Sequence, residues 1–182
     1  MINKVYSKNL NKVKQHFEKE GSVQLQNFFD DNYFNELIDK IKKVELNKIF
    51  DSLNYSYSSA GFNDKELING ISGFLSKLLG KKVNFNFSKI FCFKHKDYTL
   101  LNDEISEEKG FKVILELTEN WSDEFGGYIS FVKDEEEVFR VDTIDNSFTL
   151  IKTNDKMKSF VKYINNKAGN NLRLFLELFF VE

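Results

Sequence analysis

The 182-residue chain contains no proline, one cysteine and two histidines. Average usage of roughly 5% would give about nine prolines, so the turns here rest on Gly, Asn and Asp. A single thiol, Cys92, excludes an internal disulfide framework and any cysteine-rich zinc site. No run of apolar residues approaches a membrane span, and the opening MINKVYSKNLNKVKQ lacks the apolar core of a secretory signal. Lys and Arg number 26 against 28 Asp and Glu, so no basic surplus points to nucleic acid. A soluble cytoplasmic protein that binds neither nucleic acid nor membrane is expected. What the chain does have is aromatic bulk: 15% aromatic residues, with 20 phenylalanines, enough for a substantial core.

The first third carries helical spacing. Residues 7–20 read as a surface helix anchored by Leu10, Val13 and Phe17 and stopped at Gly21, followed by a short strand at Val23–Gln26. Asp30 or Asp31 caps a helix whose stripe is Phe34, Leu37, Ile38, Ile41 and Val44. Asn63 with Glu66 forms a capping-box pattern for a helix over 63–79, closed by Gly80. From Val83 the period changes to two. Strands are predicted across 83–93 and at 98–101, 111–118, 127–132, 138–142, 147–151, 158–164 and 172–181, with Asp, Asn, Gly and Lys between them. The acidic run Glu135–Glu137 fits a solvated turn. The expected architecture is a single α+β, mainly β domain over 1–182. Residues 1–80 form a mainly helical lead-in packed on one sheet, and 81–182 form a jelly-roll core.

The stretch 93–132 gives the pattern its specificity. Thr118-Glu119-Asn120-Trp121 is followed by Gly126-Gly127 and the apolar strand Tyr128-Ile129-Ser130-Phe131. Upstream lies GSVQLQNFFDDNYFNELIDKI; downstream come Asn146 and FVKYINNKAGNNLRLFLELFF, with Arg173. Over roughly residues 20–182 this order resembles the prolyl-hydroxylase-like branch of the 2-oxoglutarate/Fe(II) dioxygenase superfamily. The resemblance implies a double-stranded β-helix. In a working member it also implies oxidation of a C–H bond, with 2-oxoglutarate converted to succinate and CO₂. Such chemistry needs two histidines and a carboxylate around Fe(II).

The resemblance places those three ligands at Asn102, Glu104 and Asn166 (or its neighbour Asn165), so both histidine positions carry asparagine. Asparagine oxygens with one carboxylate make an oxygen-only set better suited to Mg²⁺, Ca²⁺ or Mn²⁺, or else an unmetallated polar pocket. His95-Lys96-Asp97 has the right alternation but falls seven residues too early, and His16 belongs to a solvated helix face. Arg173 is the position that would pair with the distal carboxylate of 2-oxoglutarate; alternatively it is a strand-end arginine paired with Glu177 or Glu116. Tyr98 would line the same pocket, whereas Trp121 packs beside the glycine pair and Cys92 is a buried thiol. The expected protein is therefore an oxygenase-like chain with a degraded iron site and no resident cofactor. It would bind a small carboxylate or a protein partner. The alternative is an active hydroxylase using 2-oxoglutarate and Fe(II) through an unusual metal site.

Overall fold

The computed structural model describes residues 1–101 and 107–182. The helical lead-in forms where the spacing puts it, with one break. Asn9 divides the first segment into α1 (Lys4–Lys8) and α2 (Leu10–Glu20), and α2 ends on Gly21 in the left-handed region at φ 75°. Strand β1 (Ser22–Leu25) leads to α3 (Asp31–Ile41), capped by Asp30, whose carboxylate accepts from the Tyr33 amide at 3.0 Å. In α4 (Lys65–Leu79) the cap is Asp64, one residue beyond Asn63, and it accepts from the Leu67 amide at 3.0 Å.

Between α3 and α4 the lead-in is not purely helical. Strands β2 (Asn47–Asp51) and β3 (Tyr55–Gly61) form a hairpin whose turn is fixed by Asp51 Oδ1, an acceptor for the amides of Leu53 and Asn54. The alternation Tyr55-Ser56-Tyr57-Ser58 was its signal in the sequence. The remaining strands are β4 (Asn84–Phe93), β5 (Tyr98–Thr99), β6 (Gly110–Glu116), β7 (Ile129–Lys133), β8 (Glu136–Val141), β9 (Ser147–Thr153), β10 (Met157–Val161) and β11 (Arg173–Val181). Asp134 and Glu135, at φ 51° and 68°, make the tight β7–β8 turn, so of the acidic run only Glu135 is turn, while Glu136 and Glu137 begin β8.

The order β1-β9-β6-β11-β4-β3-β2 makes an eight-stranded antiparallel sheet, with β5 pairing on β3; β10-β7-β8 makes a second sheet. Together they form a jelly roll, a double-stranded β-helix. Alternation then builds two cores from one sheet. Leu174, Leu176, Leu178 and Phe180 of β11 face α2, α3 and α4, together with Val113, Leu115, Phe148 and Leu150. The opposite faces of β11, β6 and β4, carrying Phe175, Ile114 and Phe93, meet Ile129 and Phe131 of β7 and Val161 of β10 inside the barrel. The Phe-rich β11 is thus central in the large sheet and buried, as core rather than surface. No helix among the described residues is long and apolar enough to cross a membrane.

Asn146 joins the helical side to the barrel. It is 5% exposed and sits at φ 49°, a region asparagine tolerates better than most residues. Its Oδ1 accepts from the Phe29 amide and its Nδ2 donates to the Phe29 carbonyl, both at 2.9 Å, while its own carbonyl accepts from the Phe28 amide at 2.8 Å. Asn146→Ala leaves two backbone groups of Phe29 unpaired in the core. A loss of about 2–4 kcal/mol is expected in urea unfolding. Asn146→Gly, which keeps the backbone conformation but not the bonds, should not recover it.

Candidate functional site

Inside the barrel, the residues that alternate along each strand converge on a cavity of about 340 Å³. Tyr55 and Tyr57 come from β3, Phe87, Phe91 and Phe93 from β4, and Phe175 and Phe179 from β11; Thr99 of β5 and Ser159 of β10 close one side. The walls are aromatic, and the polar groups are concentrated in one cluster. Lys112 Nζ on β6 lies 2.5 Å from Glu107 and 3.2 Å from Glu177 of β11, and Ser159 Oγ donates to Glu107 at 2.5 Å. Burial disfavours the charge on Lys112, yet the two carboxylates outweigh it and hold its pKa above the usual lysine value. Burial pushes the Glu177 carboxyl up, against the pull of Lys112 and with a further push from Glu107. Sequence reasoning missed this cluster. Its only signal was a lysine interrupting the apolar run of β6 and a glutamate interrupting that of β11.

A second buried ion pair lies four residues along β11. Arg173 is fully buried, and its Nη2 donates to Glu116 Oε2 of β6 at 2.8 Å. Thr118 Oγ1 donates to the other oxygen of Glu116 at 2.5 Å. The guanidinium centre lies 4.9 Å from the centroid of the Phe175 ring, and Nε and Nη1 have no protein partner. Of the two carboxylates expected as its partner within the chain, Glu116 rather than Glu177 is paired with it. The glycine pair makes room for it. A Cβ on Gly127 would come within 3.3 Å of Arg173 Cδ and 3.1 Å of the Trp121 ring, and Gly127 has φ 82°. Trp121 packs over this turn, its Nε1 donating to the Gly126 carbonyl at 2.9 Å.

The other expected site residues are dispersed. Tyr98 lies on the opposite side of β5 from the cavity, against Tyr163 with ring centroids 6.2 Å apart; its neighbour Thr99 is the one that faces inward. Asn166 begins a 3-10 turn (Asn166–Ala168) between β10 and β11 and is exposed. Asn102 and Glu104 lie outside the described residues. His16 is exposed on α2, and His95 sits in the β4–β5 turn, so neither lines the cavity. Asp97 of the same turn is 3% exposed and bound by Lys48 and Ser56 of the β2–β3 hairpin at 2.7 and 2.5 Å, a structural anchor. Cys92 is half-buried, and burial raises its thiol pKa, away from nucleophilic use. Among the described residues no group of three His, Cys, Asp or Glu is placed to hold a metal ion. The described lining of Glu107, Lys112, Ser159 and Glu177 does not fit a ferrous ion held by imidazoles.

Two stability experiments follow. Breaking one side of a buried pair leaves an uncompensated charge, so Glu116→Ala should cost about 3–5 kcal/mol in urea unfolding. The apolar double replacement Glu116→Leu with Arg173→Met should recover most of that loss. Glu177 behaves differently with pH. Its pKa is higher in the folded than in the unfolded chain, so the folded state binds more protons and this group's contribution weakens as pH rises through the raised pKa. Unfolding of wild type and Glu177→Gln at pH 5 to 8 should show wild type losing ground to the variant as pH rises.

No family model matches the sequence. Solved structures do match its fold across nearly its whole length. A prolyl-4-hydroxylase from Pseudomonas putida superposes with a TM-score of 0.72 at 13% identity, covering 96% of this chain and 99% of its own. A prolyl hydroxylase from Trichoplax adhaerens, solved with a hypoxia-inducible-factor peptide, gives 0.74 at 13%, covering 98% and 91%. An oxidoreductase of the 2-oxoglutarate–Fe(II) oxygenase family from Burkholderia pseudomallei gives 0.73 at 11%, covering 94% and 90%. The alternating strands, the Gly126-Gly127 turn and the inward-facing Arg173 thus belong to a chain with the fold of the 2-oxoglutarate–Fe(II) oxygenases, in the form seen in prolyl hydroxylases.

Proposed function

We propose that this chain is a non-catalytic member of the 2-oxoglutarate oxygenase superfamily whose barrel serves as a small-molecule-binding pocket. The observation that carries the reading is the pocket's chemistry. A cavity of about 340 Å³ is lined by eight aromatic and four aliphatic side chains, one buried Lys–Glu cluster and no imidazole, both histidines of the chain lying elsewhere. An oxygenase site requires neutral nitrogen ligands to hold Fe(II) with open positions for its substrates, and the described lining supplies none. The small carboxylate expected from the sequence would have to share the Arg173 guanidinium with Glu116, which already neutralises it.

A partner-protein role is the second reading, favoured by one observation. Phe50 and Leu53 of the β2–β3 hairpin are 66% and 76% exposed, and Leu100, whose amide bonds to the Asn54 carbonyl beside them, is 53% exposed. Together they form an apolar rim on an edge strand beside the cavity.

Catalysis is tested by succinate formation from 2-oxoglutarate with Fe(II), ascorbate and O₂. No succinate above the protein-free control is expected. Sustained Fe(II)-dependent turnover would overturn the reading and restore the active hydroxylase.

A further inference from the structure

We infer that the barrel pocket selects a ligand bearing a protonated amine on an aromatic or apolar body, and that its own glutamates close it to carboxylates. The inference rests on the reading of the barrel as a ligand site and names the class of ligand. Lys112 is the one cation among the described residues that line the cavity, and its charge, like that of Arg173 beyond the lining, is already paired by a carboxylate of the chain. Arg173 is paired with Glu116 at 2.8 Å, and Lys112 is clamped between Glu107 and Glu177 at 2.5 and 3.2 Å. A ligand carboxylate would have to displace one of these groups or add a further negative charge to a buried cluster.

An ammonium meets the opposite situation. The cavity is lined by three carboxylates, Glu107, Glu108 and Glu177, against the single ammonium of Lys112. Lys89, which faces Glu177 across the β4–β11 ladder, is the other cation nearby, and its position is instructive. Its ammonium lies 5.9 Å from the Tyr57 ring centroid and 5.2 Å from that of Phe91, so the aromatic wall already receives a cation from the chain itself. Glu177 gives the second half of the recognition. It is nearly enclosed, desolvation disfavours its charged form, and an added cation beside it relieves that cost. Aromatic faces beside more carboxylates than cations are the surroundings in which an organic ammonium is held more firmly than its neutral or anionic isostere.

The test is a charge series of one size on the full chain: 2-phenylethylamine, 2-phenylethanol and 3-phenylpropanoate, titrated by calorimetry at pH 7. The amine should bind at least about tenfold more tightly than the alcohol, with no saturable binding of the acid. Glu177→Gln should remove about tenfold of the amine's advantage while leaving the alcohol's affinity within about twofold, which also reports that the pocket is intact. Glu108→Gln changes an exposed residue at the mouth, outside the buried cluster. It should weaken the amine about threefold and the alcohol not at all. Alcohol or acid binding as tightly as the amine, or amine affinity unchanged in both variants, overturns the charge assignment and leaves the barrel standing as a ligand site. Silence from all three probes overturns the ligand-site reading together with it.

Discussion

The buried contact between Glu116 and Arg173 is the constraint around which the barrel interior is arranged. It joins β6 to β11, the two adjacent strands at the middle of the large sheet, with both side chains fully removed from solvent. An isolated charge could not persist there, so each partner makes the other tolerable, and Thr118 occupies the carboxylate's remaining oxygen. The stem of Arg173 passes so close to Gly127 that a side chain could not be added without displacing Trp121, Ile164 or the arginine itself. The glycine turn, the tryptophan over it and the Phe175 ring beneath the guanidinium are therefore one packed unit. An arginine so placed is neutralised by its own chain before any ligand arrives.

The same strands carry a second charged layer, Lys112 with Glu177 and Glu107, separated from the first by Phe175 and Ile114. The period of two explains why both layers face inward: 173, 175, 177 and 179 share one face of β11, and 112, 114 and 116 share one face of β6. The other face is uniformly apolar and packs on α2, α3 and α4, which brace the sheet from outside. Division of labour within one sheet thus leaves the helices to stabilise and the barrel to hold chemistry. That chemistry consists of carboxylates, one ammonium and aromatic rings. The imidazoles of the chain are on a helix surface and in a turn.

Much of this was legible in the residues. Strand periodicity from Val83 onward, the glycine pair after Trp121 and an arginine in an otherwise apolar terminal strand were enough to place the jelly roll and to mark Arg173. Partner choice was not legible. Periodicity assigns a face to Glu116 and Glu177 alike, and only the β6–β11 register, with Glu116 opposite Phe175, brings Glu116 rather than Glu177 to the arginine. The β2–β3 hairpin escaped because it lies at an edge, where serines and exposed residues give little hydrophobic contrast. Asn166 was marked by the spacing to Arg173 that the resemblance implies, and spacing alone says nothing of the local turn. The segment coils into a 3-10 turn that buries Ile164 and Ala168 and turns Asn166 outward.

The central claim is that Arg173 is paired by the chain's own Glu116 and that the barrel holds neither iron nor a keto acid. Anomalous diffraction at the iron edge, from crystals grown without oxygen in excess Fe(II) and 2-oxoglutarate, tests it most directly. The account predicts no iron peak within the barrel and Glu116 still bonded to Arg173. An iron peak in the barrel, with the carboxylate of 2-oxoglutarate in place of Glu116 on the guanidinium, would contradict it.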